Sequence, residues 1–267
     1  MTTSAAAAVS PLKLTLRKSL DRGIADHGWL KSAHTFSFAN YYDPAHSQHG
    51  PLRVINEDFI EKGTGFGKHP HREFEIFTYV IDGVIQHDDS MGNSELVKRG
   101  EIQMTSAGTG IQHAEYNGSQ DQEGHICQIW VKPNKAGLTP RYATGDFSDD
   151  TKRNVLKRVV ASADAMQGGE SDAVPIHANL SMYASLLEPG KTVSHVQKRT
   201  FGYIHHIMSS GFKTPKTGTS QLKVNGQVLN EGDGLYIDRK AGEGEALLEI
   251  ESTGEQRAEF LLFDMDN

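Results

Sequence analysis

The chain has 267 residues, 37% hydrophobic and 23% charged, a balance that fits a folded, water-compatible protein and excludes a fibrous or disordered one. Its 27 basic residues stand against 34 acidic ones for a net charge of −7, and the short runs "KRVV" and "VQKRT" cannot track a phosphate backbone, so direct nucleic-acid binding is disfavoured. The single cysteine, Cys127, excludes an intramolecular disulfide or zinc–thiolate cluster and fits a cytoplasmic protein, and no stretch is apolar for long enough to cross a membrane.

Residues 1–14 read as a flexible tail, because "MTTSAAAAVSPLK" has neither a positive leader nor a sustained apolar core. The stretch "HTFSFANYYDP" (34–44) is rich in aromatics, with core packing as its default; Phe36, Phe38, Tyr41 or Tyr42 could instead wall a flat aromatic ligand. From there short apolar runs alternate with glycine. "EIFTYVID" ends at Gly83, "VIQHDDSMGN" turns at Gly92-Asn93, and "ELVKRGEIQMTSAGTG" breaks at Gly100, Gly108 and Gly110. "HICQIWVKP" is another β-branched and aromatic run. Many short strands between turn signals indicate an all-β sandwich or barrel.

The polar stretch over 133–154 marks a boundary, and "DDTKRNVLKRVV" (149–160) reads as one helix or as a linker entering a strand. Beyond it, "LEPGKTVSHVQKRTFGYIHHIMSSG" repeats the shape of "EKGTGFGKHPHREFEIFTYVIDG", and "LNEGDGLYID" stands where "VKRGEIQMT" stood. Two similar domains follow: residues 15–140 and 158–267, joined by a linker over 141–157. The second copy lacks a His-x-His pair.

That pair carries the chemistry. Residues i and i+2 of a strand face the same way, about 6.6 Å apart. His69 and His71 therefore share a face, and so do His113 and Glu115 in "GTGIQHAEYN". If the two segments are neighbouring strands, about 5 Å apart, three imidazoles and a carboxylate converge inside a barrel as ligands for a divalent transition metal. With thirteen histidines in the chain, one His-x-His pair is cheap by chance, so context has to carry the reading.

The context is Gly63 six residues ahead of His69-x-His71, and Gly110 framing His113 and Asn117. These segments resemble the two cupin motifs, Gly-x5-His-x-His and Gly-x2-His-x3-Asn. More closely, "ADHGWLKSAHTFSFANYYDP", "LRVINEDFIEKGTGFGKHPH", "TYVIDGVIQHDDSMGN", "SAGTGIQHAEYN" and "QIWVKPNKAGLTPRY" are similar to the pirin family of bicupins, including bacterial members described as quercetin 2,3-dioxygenases. The likeness is dense over about residues 15–142 and thinner beyond. It implies two jelly-roll-like cupin β-barrels packed face to face, with metal only in the first. Ordinary cupins place a glutamate ligand where Ile76 stands; Glu75 is one position off and would face away. The pirin pattern makes Glu115 the fourth ligand beside His69, His71 and His113. A proline usual in the second cupin motif is absent, with Ser106 near its place.

The resemblance also implies the function. The leading expectation is a dioxygenase using Fe(II), with zinc, nickel, cobalt, copper or manganese as other candidate ions. A flavonol such as quercetin docks through its 3-hydroxyl and carbonyl oxygens, Glu115 takes the proton, and reaction with O2 releases carbon monoxide. The alternatives are a redox-sensing regulator acting through a protein partner, and a metal-stabilised scaffold without turnover. Among other histidines, His87 reads as a strand residue near a hairpin rather than a group beside the site. Adjacent His205 and His206 point to opposite faces, His195 is a lone remnant, and His27 and His34 have no spacing argument. "GTGFGKH" is not a phosphate loop, because His69 follows Lys68 where Ser or Thr is required and no helix follows.

Overall fold

The computed structural model describes residues 12–166, 172–212, 219–240 and 244–267. The first half runs through β1 (Lys13–Arg17), β2 (Gly23–Asp26), β3 (Leu30–His34), β4 (Leu52–Ile60), β5 (Gly65–His71), β6 (Glu75–Asp82), β7 (Val84–Asp89), β8 (Ser94–Lys98), β9 (Glu101–Ser106), β10 (Ile111–Asn117), β11 (Gly124–Val131) and β12 (Arg141–Asp146). After the short helix α1 (Asp149–Lys152) come β13 (Lys157–Ser162), β14 (Val174–Ile176), β15 (Leu180–Leu187), β16 (Thr192–Gln197), β17 (Phe201–His206), β18 (Gln221–Val224), β19 (Gln227–Asn230), β20 (Gly234–Asp238), β21 (Ala246–Ser252) and β22 (Ala258–Met265). The chain is thus all-β in two cupin barrels. In the first, a seven-stranded sheet ordered β12-β9-β6-β11-β4-β3-β2 faces a four-stranded sheet β5-β10-β7-β8. The second repeats this as β1-β20-β17-β22-β15-β13-β14 over β16-β21-β18-β19.

The two large sheets lie back to back, so their central strands are buried on both faces. Along β4, β6 and β11 the alternation of side chains sorts residues by parity. Odd positions such as Ile55, Phe77, Tyr79, Cys127 and Ile129 join Met182, Tyr203, Leu261 and Phe263 in one core shared by the two barrels. Even positions such as Ile60, Val80 and Ile126 fill the interior of the first barrel with Ile85 and Val97 from the small sheet.

Glu57 is a carboxylate placed inside the shared core. It is fully buried and accepts hydrogen bonds from Arg22 Nη1 at 3.3 Å, His125 Nε2 at 3.0 Å, His205 Nε2 at 2.9 Å and the Met208 amide at 2.7 Å. Burial opposes its ionisation, but the bonds from His125 and His205 and the Arg22 charge hold its carboxyl well below the usual range. Two of these partners come from each half of the chain.

Two segments read from the sequence as tail and linker carry strands. Residues 1–11 of the expected tail lie outside the described residues, but Lys13 and Leu14 belong to β1, which crosses to pair with β20 of the second barrel from Lys13↔Asp238 to Arg17↔Gly234. Leu12, Leu14 and Leu16 pack on the second barrel's core, and the strand covers an edge that would otherwise present unpaired backbone. The expected linker also contains a strand, since β12 pairs with β9 from Arg141↔Ser106 to Asp146↔Glu101 and closes the first sheet. Of the stretch 149–160, only Asp149–Lys152 is helical; Lys157 onward is β13.

Glu57→Ala is expected to lower stability by about 3–5 kcal/mol, as breaking a buried ion pair does, seen as a fall in the denaturant midpoint. Because the folded carboxyl is depressed, this contribution is full above the unfolded glutamate pKa of about 4.3 and is lost as pH falls toward the folded value. Wild-type and variant midpoints should therefore converge in acid.

Candidate metal centre

Strand β10 lies between β5 and β7, and its register brings the two sequence motifs together. His113 stands opposite His69 on one side and Asp89 on the other, and Glu115 stands opposite His87. A bulge between His113 and Glu115 shifts the pairing with β5, so that Glu115 meets Phe66. The close approach there needs Gly65: a Cβ at that position would overlap the Glu115 carbonyl oxygen.

The rings of His69, His71 and His113 form a triangle with centroids 4.6–4.7 Å apart, and their ligand atoms all lie within 4.8 Å of one another. His69 Nδ1 donates to the Gly67 carbonyl at 2.8 Å, which leaves the Nε2 lone pair free to face His113 Nε2 at 3.1 Å. That separation suits two nitrogens each about 2.1 Å from a common ion. Burial, reinforced by the neighbouring imidazoles, lowers His71 to about 4 and His113 to about 3. Both rings are therefore neutral at pH 7, the form that binds metal.

Glu115 approaches from the next inward position, with Oε2 3.9 Å from His113 Nε2. It is tethered across the barrel by the large sheet. Gln128 Nε2 donates to Oε2 at 3.0 Å, while Thr78 Oγ1 at 3.3 Å and Gln103 Nε2 donate to Oε1. A second set of possible ligand atoms, His87, His113 and Glu115, also lies within 4.8 Å. His87 is thus not merely a hairpin residue. It is fully buried, stacks on Tyr142 at 4.6 Å, and sits 5.3 Å from the His113 ring. Its equivalence to Glu115 across the β7–β10 ladder was not visible in either motif.

A cavity of about 690 Å³ opens onto His69, His71 and Glu115. Phe38, Tyr41, Phe66 and Trp130 give it aromatic walls. Of the other aromatics singled out, Phe36 is buried against Tyr203 and Tyr236 in the shared core, and Tyr42 is 78% exposed and lines no wall of the cavity. His27 and His34 do line it, as does Asp58. Glu75 faces away, accepting from Ser106 Oγ at 2.5 Å and from the His177 amide at 3.0 Å. In the second barrel His195 contacts Asp264 at 3.2 Å and Tyr183, while buried His206 bonds Ser220.

Fold and site together define a bicupin whose first barrel carries a histidine-rich, metal-binding pocket. The chain belongs to the pirin family: the pirin model matches residues 15–131, and the model of the quercetinase C-terminal cupin domain matches residues 159–265. It is 41% identical over 252 residues to the quercetin 2,3-dioxygenase of Escherichia coli K12, covering 94% of this chain and 97% of that protein. A pirin-like protein of Caulobacter vibrioides is 38% identical over 249 residues, 93% of this chain and 98% of that one. The crystal structure of the E. coli pirin YhhW in complex with nickel(II) superposes with a TM-score of 0.78 at 37% identity, over 95% of this chain and 99% of that one.

His113→Ala is expected to abolish stoichiometric metal uptake, whereas His195→Ala leaves it intact, as elemental analysis of each purified protein will show. A pH effect is expected from Asp58. Burial pushes its carboxyl up to about 7, with the Ser32 hydrogen bond opposing and the Glu115 and Glu57 charges adding. A raised folded pKa means the folded state holds the proton longer, so stability falls as pH rises from about 4 to about 7. Asp58→Asn, whose amide oxygen still accepts from Ser32, should gain in melting temperature over wild type across that window and no further above it.

Proposed function

We propose that His69, His71, His113 and Glu115 hold one divalent transition metal, iron(II) in the cell, and that the protein is a dioxygenase of flavonols such as quercetin. Three imidazoles and a carboxylate are donors that iron, nickel, cobalt, copper, manganese and zinc all accept. The bound ion supplies Lewis acidity that lowers the pKa of a phenolic hydroxyl. The single observation that carries the reading is a carboxylate fixed at the inner end of an aromatic-walled cavity, with one oxygen left able to take a proton.

Glu115 Oε2 lies 3.9 Å from His113 Nε2 and accepts one hydrogen bond, from Gln128, so its second lone pair is left to serve the ion at rest or a substrate proton in its place. In this reading Oε2 accepts the proton of the substrate 3-hydroxyl, and Gln128, Thr78 and Gln103 keep the carboxylate aimed while it does so. Phe38, Phe66 and Trp130 flank the flat ring system and exclude water from it. The substrate takes up both atoms of O2, its central ring opens, and one carbon leaves as carbon monoxide. The same relationship to curated quercetin 2,3-dioxygenases supports the substrate class.

Glu115→Gln is expected to lower the rate of aerobic quercetin loss by about 10²-fold or more, the usual worth of a positioned base, with metal content measured alongside. Cleavage at the wild-type rate with metal bound overturns the base role. Metal-loaded wild-type protein that leaves quercetin untouched overturns the dioxygenase, and leaves a regulator acting through a protein partner.

A further inference from the structure

The large sheet of the first barrel carries a polar row across its inner face. Register places His34 opposite Asn56, Asn56 opposite Gln128, Gln128 opposite Thr78, and Thr78 opposite Gln103, so five polar side chains cross five strands at one level. Alternation keeps all five on the barrel side. Polar groups in a barrel interior are costly unless they are bonded, and the two ends of the row differ in how this is met.

At one end, Gln103, Thr78 and Gln128 spend their donors on Glu115 and on each other, while Gln103 Oε1 is buried without a partner. At the other end, His34 and Asn56 bond through Nδ1 and Oδ1 at 2.8 Å, and Ser32 on the next inward position donates to Asp58 Oδ1. The outer groups of this quartet have no such use. Among the described residues no protein group bonds Asp58 Oδ2, Asn56 Nδ2 or His34 Nε2. All four residues are at most 4% exposed, and all four line the 690 Å³ cavity that reaches Glu115. An acceptor, a donor and an imidazole nitrogen thus face the cavity with unused capacity. His34 lies two strand spacings, about 10 Å, from Gln128, a span of the order of a three-ring flavonol.

We infer that Asp58, with Asn56 and His34 beside it, determines specificity by bonding phenolic hydroxyls at the end of the ligand remote from Glu115. The pocket would then select polyhydroxylated aromatics over the bare ring system. The inference takes its ligand class from the flavonol reading above but does not require turnover.

The test is binding without dioxygen. Metal-loaded protein is titrated anaerobically with quercetin and with 3-hydroxyflavone, which keeps the 3-hydroxyl and carbonyl but lacks every other hydroxyl, following tryptophan fluorescence. Wild type should bind quercetin about tenfold or more tightly, because the smaller ligand leaves buried polar groups unpaired. Asp58→Ala should bring the two affinities within about threefold by weakening quercetin alone, whereas a merely structural role would weaken both ligands alike. Should that variant fail to fold, Asn56→Leu, close in size and on the same face, carries the same expectation. Equal affinities in wild type, no binding of either ligand, or an unchanged ratio in the folded variant overturns the inference. A tenfold preference without any aerobic cleavage sustains it and removes the dioxygenase instead.

Discussion

Everything at the metal centre depends on one backbone ladder, the seating of β10 between β5 and β7. Because side chains alternate along a strand, the pairing of His113 with His69 carries His71 and Glu115 to the same interior space. A slip of one residue would turn His113 and Glu115 outward and replace them with Gln112 and Ala114. The bulge after His113 and the bare backbone of Gly65 hold the register where it is. The site is therefore a consequence of strand pairing, completed by side-chain bonds from the opposite sheet.

The same alternation works in the large sheet, where it divides two tasks between two faces. Odd positions of β4, β6 and β11 make the largely apolar contact between barrels, with Glu57 held there by partners from both halves. Even positions build the interior: apolar at one end, polar at the other, where Thr78 and Gln128, with Gln103 of β9 beside them, anchor Glu115. Neighbouring residues such as Glu57 and Asp58 consequently sit in opposed environments. Glu57 is surrounded by donors and kept ionised; Asp58, bonded by Ser32 and facing a cavity, is pushed toward its neutral form.

Much of this was legible in the sequence because it is local. The i, i+2 spacing of His69/His71 and of His113/Glu115 identified shared faces before any pairing was known, and the offset of Glu75 from Ile76 correctly turned that carboxylate away. The glycine-punctuated runs gave the all-β class. What escaped the sequence depends on neighbours distant along the chain. His87 joins the site only through the β7–β10 ladder. Asp58, Asn56 and His34 form a wall only because β3 and β4 pair in a particular register. The aromatic stretch 34–44 divides between core, cavity and solvent according to a loop path that composition does not encode. The crossing of β1 left no motif, since a short run of alternating leucines suits either barrel equally.

That crossing strand also gives the molecule a topological order of assembly. Residues 13–17 are made early, yet their partner at 234–238 is among the last segments to emerge during synthesis. The first barrel can close while its leading strand waits, unpaired, for the end of the chain. A second half produced by itself would lack the strand that shields β20 and would present a raw sheet margin to its fellows, inviting self-association. The two barrels are similar in plan, but the second is completed by a strand from the opposite end of the chain, which belts the two together.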